Sequence, residues 1–157
     1  MRKFGSAIIL AGLLSAMTAN ALTAKQIVER EVIVQSEDGR KIVKREAADK
    51  VVPGERVVYS LEYFNDGDKP VNDIVLVMPV PKEIKYLDNS AETKQAETLY
   101  SVDGGKEFAK RDQLTVKLAN GGSRSARAAD ITHIRWTINN EVAPGAKGTL
   151  EFKGLLK

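Results

Sequence analysis

Val51-Val52-Pro53-Gly54-Glu55-Arg56-Val57-Val58-Tyr59-Ser60-Leu61-Glu62-Tyr63 is the stretch on which the fold class turns. Val57, Tyr59, Leu61 and Tyr63 fall on one side of a period-two pattern and Ser60 and Glu62 on the other, which is the pattern of a half-buried strand. Pro53 presets φ at the first turn position and Gly54 accepts the positive φ of the second, so a type II turn is expected before the strand. The same device recurs as Val142-Ala143-Pro144-Gly145, again just before a strand in which Leu150 and Phe152 alternate with Thr149, Glu151 and Lys153. Two copies of one turn show a reused local solution, not a duplicated domain.

Working outward, the rest of the chain reads as strands and turns. Ile134, Trp136 and Ile138 alternate with His133, Arg135 and Thr137 within Ile131–Ile138. Ile74–Val80 is a continuous apolar run between Asp73 and Pro81, expected to be a strand covered on both faces. Weaker strands are Ile27–Val34, Lys41–Arg45, Glu97–Val102 and Gln113–Leu118. The β-branched residues and tyrosines at these positions suit a pleated surface. Asp38-Gly39, Asn65-Asp66-Gly67-Asp68 and Asp103-Gly104-Gly105 supply the positive φ angles of tight turns. Asn120–Asp130 is expected to be an exposed loop, with a helical turn as the alternative. Short strands at this spacing predict an antiparallel β-sandwich of roughly 7–9 strands, with a small closed barrel as the runner-up.

The N-terminus reads as an export signal: basic Met1–Lys3, an uncharged apolar Ala7–Met17, then Ala19-Asn20-Ala21 as a small-x-small cleavage site. The apolar run falls short of the roughly 20 residues that span a bilayer, so no membrane insertion is expected after cleavage. The expected organisation is a signal peptide over 1–21, a hairpin-like segment over 22–50 and the sandwich over 51–157. The 157 residues carry 24 Lys and Arg against 21 Asp and Glu, a net charge of +3. Arg2 and Lys3 belong to the signal, so the remainder has a net charge of only +1. That balance, with export, argues against nucleic acid as a partner. There is no cysteine, which excludes disulfides, thiol catalysis and thiolate metal sites.

Ordered along the chain, Val51–Leu61, Tyr63–Gly67 (Tyr-Phe-Asn-Asp-Gly), Met78–Pro81 (Met-Pro-Val-Pro), Tyr100–Phe108 (Tyr-Ser-Val-Asp-Gly-Gly-Lys-Glu-Phe), Ile131–Trp136 and Val142–Phe152 form a set. The set resembles the bacterial conserved-repeat domain, domain of unknown function eleven, of cell-envelope and surface proteins, over roughly Val51 to Lys153. The resemblance implies an immunoglobulin-like sandwich and a cell-envelope setting, and it carries no catalytic residues. That family occurs as repeats in long surface proteins, whereas here a single copy follows the hairpin-like segment.

No catalytic, cofactor-binding or metal-binding residue is assigned. His133 is the one histidine, too few for a usual zinc site, and is read as a sheet-face residue. Asp66, Asp68 and Asp73, with Asp103, Asp112 and Asp130 near strand ends, could gather calcium, but an EF-hand counted from Asp66 would need Glu where Val77 stands. Turn formation explains these aspartates. Asp103-Gly104-Gly105 opens no helix and lacks the following Lys-Ser/Thr, so a hairpin turn is preferred over a phosphate loop. Trp136 is read as core rather than a sugar platform. Lys110, Arg111, Arg124 and Arg127 are read as a solvated basic surface. The expected function is a non-catalytic envelope module acting by protein contact, with another envelope protein or a second copy as partner. Gln26–Arg45 would either protect a sheet edge or dock on another subunit. The alternative is a carbohydrate- or calcium-binding module, and a small hydrolase is the least favoured for want of a catalytic group.

Overall fold

A computed structural model describes residues 22–157; the expected export signal lies outside the described residues. The alternating segments become β1 (Leu22–Gln35), β2 (Lys41–Ala47), β3 (Arg56–Asn65), β4 (Val75–Pro79), β5 (Ile84–Tyr86), β6 (Ala96–Ser101), β7 (Thr115–Lys117), β8 (Ser123–Ser125), β9 (His133–Ile138) and β10 (Lys147–Leu156). The sole helical element among the described residues is a 3-10 turn at Ala128–Asp130. All pairings are antiparallel. One sheet runs β2-β1-β3-β10-β5, a second β4-β9-β6, and β7 and β8 form a small ribbon.

The two larger sheets share one core, which makes the architecture an antiparallel β-sandwich. Val57 and Tyr63 of β3, Leu150 and Phe152 of β10 and Ile84 and Tyr86 of β5 meet Met78, Tyr100, Ile134, Trp136 and Ile138 from the other sheet. Trp136, Phe152 and Ile134 are wholly buried. Phe152 stacks on Tyr59 at 4.9 Å between ring centroids. The Tyr86 hydroxyl donates to that of Tyr100 across the sheets at 3.1 Å, and Tyr100 in turn donates to Glu92. Burial pushes the Tyr100 phenol far above its ordinary value, so this chain of hydroxyls stays protonated and ties the sheets together. With no disulfide available, burial of roughly 1.5–3 kcal/mol per large apolar side chain is the main stabilising contribution.

Both Pro-Gly turns close as expected. Glu55 N bonds Val52 O at 3.1 Å and Ala146 N bonds Ala143 O at 2.9 Å, with φ of 90° at Gly54 and 75° at Gly145. Their placement explains the repetition. β3 and β10 are antiparallel neighbours, so the turn that opens each strand lies beside the end of the other. Gly54 N bonds Leu156 O at 2.8 Å, and Gly145 N bonds Asn65 O at 2.8 Å. The central pair is therefore clamped at both ends.

Three expectations change. Ile74–Val80 is not covered on both faces: β4 is the outer strand of its sheet, and Val75 and Val77 are 51% and 46% exposed. Met78 and Ile74 alone of that run's inward residues reach the core fully, with Val80 at its end. A continuous apolar run fits an edge strand as well as an interior one, and among the described residues no third layer covers this face. Asn120–Asp130 is not all loop; Ser123–Ser125 pairs with β7, and the 3-10 turn follows. β5 (Ile84–Tyr86) is absent from the expected strands, and it forms because Gly154 lets it approach β10: a methyl group on Gly154 would lie 2.1 Å from Ile84 Cγ2. The strand order also lacks an immunoglobulin feature. β9 and β10 lie in different sheets, whereas that fold keeps its last two strands together.

Candidate functional site

The far end of the first hairpin lies outside the shared core. From Leu22 to Glu31, β1 pairs with β3, so it covers an edge of the central pair. From Val32 to Gln35 it pairs only with β2, and the hairpin runs on past β3. Its turn, Ser36–Arg40, is self-sufficient. Gly39 has φ of 82°, and the Asp38 carboxylate accepts from Arg40 Nε at 2.6 Å and from the Ser36 hydroxyl. Those bonds, Arg40 first, hold Asp38 down at about 2.

Beyond β3 the hairpin has apolar side chains on both faces. Ile33 faces Val43 across the ladder on one side, and Val34 faces Ile42 on the other. Ile33 is 72% exposed, Val43 61% and Ile42 48%. None of the three joins the shared core. β2 is also the end strand of the larger sheet. It spans seven residues without proline or glycine, and among the described residues no strand pairs with its outer edge. Such an edge is a row of backbone donors and acceptors awaiting a partner.

Nearer the body, the same sheet face is closed by charge. Glu31, 7% exposed at its side chain, accepts from Lys153 Nζ at 2.6 Å and Arg56 Nη1 at 3.1 Å. The Lys153–Glu31 bond spans β3 over Val58, which is wholly buried. Burial raises the Glu31 pKa, but the bonds from Lys153 and Arg56 outweigh it, and the net displacement is downward. Arg45 grips Glu151 with two bonds of 2.9 and 3.0 Å, and its guanidinium is raised by them. These partners are 122 and 106 residues apart. Only the sheet register brings them together, so sequence reasoning missed them; the signal present was the mixing of Lys, Arg and Glu with Ile and Val in Gln26–Arg45.

The residues weighed from the sequence go elsewhere. Trp136 is core, its Nε1 donating to Ala91 O at 2.9 Å. His133 is half-buried, with Nδ1 3.2 Å from the Thr132 hydroxyl and its ring against Gly105. In the Asp103-Gly104-Gly105 turn the amides are already engaged: Gly104 N donates to the Thr132 hydroxyl at 3.0 Å and Gly105 N to that of Ser101 at 2.9 Å. Asp103 accepts from Ser101 and from the amides of Lys106 and Glu107, and the Ser101 bond leads in lowering its pKa. Asp130 is held at about 2, chiefly by Arg124 in a two-point pair, and Arg111 grips Asp88. The basic patch is thus partly neutralised within the fold. Asp66, Asp68 and Asp73 are exposed in and beyond a turn organised by buried Asn65, whose Nδ2 donates to Lys69 O and Val142 O. Among the described residues no group of three or more His, Asp or Glu is arranged to hold a metal ion. No helix of the described residues is long and apolar enough to cross a membrane.

No family model, curated protein or solved structure matches the chain.

Proposed function

We propose that the protein is an exported, non-catalytic module of the bacterial cell envelope, related to the conserved-repeat family, that works by protein contact through its β1–β2 hairpin. One observation carries this reading: the distal hairpin exposes Ile33, Ile42 and Val43 on two faces and, at the same place, a strand edge that no other described strand pairs. Isolated exposed apolar residues are ordinary. A cluster on the distal part of a hairpin, outside the core and beside a strand edge, suits strand addition, in which backbone pairing gives affinity and alternate side chains give specificity. The body of the sandwich then serves to hold that hairpin out, anchored through β1–β3 pairing and the Glu31 and Arg45 ion pairs.

Export is tested by N-terminal sequencing of the released protein: a start at Leu22 is expected, and a start at Met1 contradicts it. Contact is tested by crosslinking in living cells with mass spectrometry of the adducts. A discrete adduct attached to the hairpin is expected; a chain that stays monomeric with no adduct speaks against the reading.

The ligand-binding alternative has one observation in its favour. Phe64, 40% exposed at the end of β3, borders a groove of about 460 Å³ with Thr23, Lys25, Lys147 and Thr149. An exposed ring beside hydroxyls and ammonium groups has the apolar face and polar neighbours that stack and hydrogen-bond a sugar. A glycan array decides it: binding that Phe64→Ala abolishes supports the alternative, and a blank array removes it.

A further inference from the structure

We infer that the outer edge of β2 pairs with the β2 edge of a second copy of this chain, antiparallel about a two-fold axis centred on Arg45, so that the larger sheets of two molecules join into one. This rests on the reading of the hairpin as a contact surface and names the partner.

The ladder with β1 decides which backbone groups are left over. Ser36 N bonds Arg40 O and Ala48 N bonds Val28 O, and facing pairs in an antiparallel ladder alternate between bonded and non-bonded. Arg40, Ile42, Lys44, Glu46 and Ala48 therefore turn their N–H and C=O groups to β1. Lys41, Val43, Arg45 and Ala47 turn theirs outward, where among the described residues nothing bonds them.

The side chains then select the register. Facing residues of an antiparallel pair share a sheet face, so two identical strands related by a two-fold axis must place one residue opposite itself. Centred on Arg45, Lys44 faces the partner's Glu46, Val43 faces the partner's Ala47, Ile42 faces the partner's Ala48 and Lys41 faces the partner's Asp49. Each lysine of the edge meets a carboxylate, each exposed apolar side chain meets an alanine, and symmetry makes every contact twice. Opposite charges across a ladder stabilise it and like charges destabilise it. Neighbouring registers fail on that rule. Centred on Val43, Lys41 faces Arg45; centred on Lys44, the lysines face each other; centred on Glu46, the glutamates do.

The charges this register needs are available. Among the described residues no ion pair engages Lys41, Lys44 or Asp49. Arg30 bonds only Oε2 of Glu46, which leaves Oε1 for the partner's Lys44. Arg45 meets its own copy at the axis, but it arrives with its counter-charge: it donates two bonds to Glu151, and Glu29 lies 3.9 Å away.

The test begins with sedimentation of the purified protein at low salt, which should show a dimer that dissociates as salt is added. Hydrogen exchange at the Val43, Arg45 and Ala47 amides should slow as protein concentration rises. Lys44→Glu or Glu46→Lys alone sets like charges face to face twice and should weaken the dimer by about tenfold. An equimolar mixture of the two variants restores opposite charges at both places, and should restore a dimer holding one chain of each. Since the chain has no cysteine, Lys44→Cys and Glu46→Cys give a second reading of the register. Their facing Cα atoms would be about 4.5 Å apart, within reach of a disulfide, so oxidising the mixture should link one chain of each in preference to two alike. A monomer at every concentration, a dimer indifferent to both charge reversals, well-folded variants that stay monomeric when mixed, or disulfides that join like chains as readily would each overturn the inference. If the protein is monomeric but cells give a hairpin adduct with another protein, self-pairing falls and the contact reading stands. If cells give no adduct either, both fall.

Discussion

The β3–β10 pair and the β1–β2 pair are both antiparallel ladders written in the same alternating residue types, yet they end in opposite environments. β3 and β10 are clamped at both ends by Pro-Gly turns, and Val57, Leu150 and Phe152 are buried between the sheets. β1 and β2 meet at a five-residue turn, Ser36–Arg40, and leave Ile33 and Val43 in water. The central pair is held by burial and the hairpin by its ladder and ion pairs. The difference teaches that alternation specifies a strand, while the layer packed against it decides whether its apolar side stabilises the fold or stays available for a partner.

That contrast can be broken by substitution. The largest effect belongs to the core: Trp136→Ala removes a wholly buried side chain and an Nε1 donor, and urea unfolding should show a loss of about 3–5 kcal/mol. Gly154→Ala should cost about 1–3 kcal/mol, because the new methyl meets Ile84 Cγ2 and forces β5 away from β10. A loss near zero there would mean that β5 is not held against β10.

Glu31 joins the two regions, and its effect should be pH-dependent. Its pKa is displaced downward in the folded chain, so it contributes stability above its unfolded value of about 4.3. That contribution fades as pH falls through the lower folded value. Glu31→Gln should cost about 1–2 kcal/mol at neutral pH and flatten the acid limb of the stability profile. A variant whose profile keeps the wild-type slope below pH 5 would remove Glu31 from the account. The smallest effect belongs to the hairpin. The double variant Ile33→Thr, Val43→Thr should change stability by less than about 1 kcal/mol, measured by the same urea titration, while lowering the yield of partner adducts. A loss on the scale of Trp136→Ala would mean that these residues are core after all.

Much of this was legible in residue order. Tyr59, Tyr63, Ile134, Trp136, Leu150 and Phe152 fall where period two places them, and each Pro-Gly starts the strand it precedes. What was not legible is set by distant chain. Val75 and Val77 look interior by hydrophobicity, but that no described layer covers them follows from how the sheets assemble. Ile84–Tyr86 is too short, and too close to Pro81, Lys82 and Glu83, to announce itself before Gly154 is placed beside it. Ser123–Ser125 is polar and short, and is a strand only because Thr115–Lys117 lies alongside. The hairpin was visible as a segment, but the pairing of Lys153 with Glu31 and of Arg45 with Glu151 needs the register of four strands.

The central claim is that the hairpin, not the sandwich body, meets the partner. The most direct measurement places a photoreactive amino acid at Val43 and, in a second chain, at Val75, an exposed apolar position on the opposite sheet. Irradiation in living cells should give a discrete protein adduct from position 43 and none from position 75. Equal adducts from both positions, or an adduct from position 75 alone, would contradict the account.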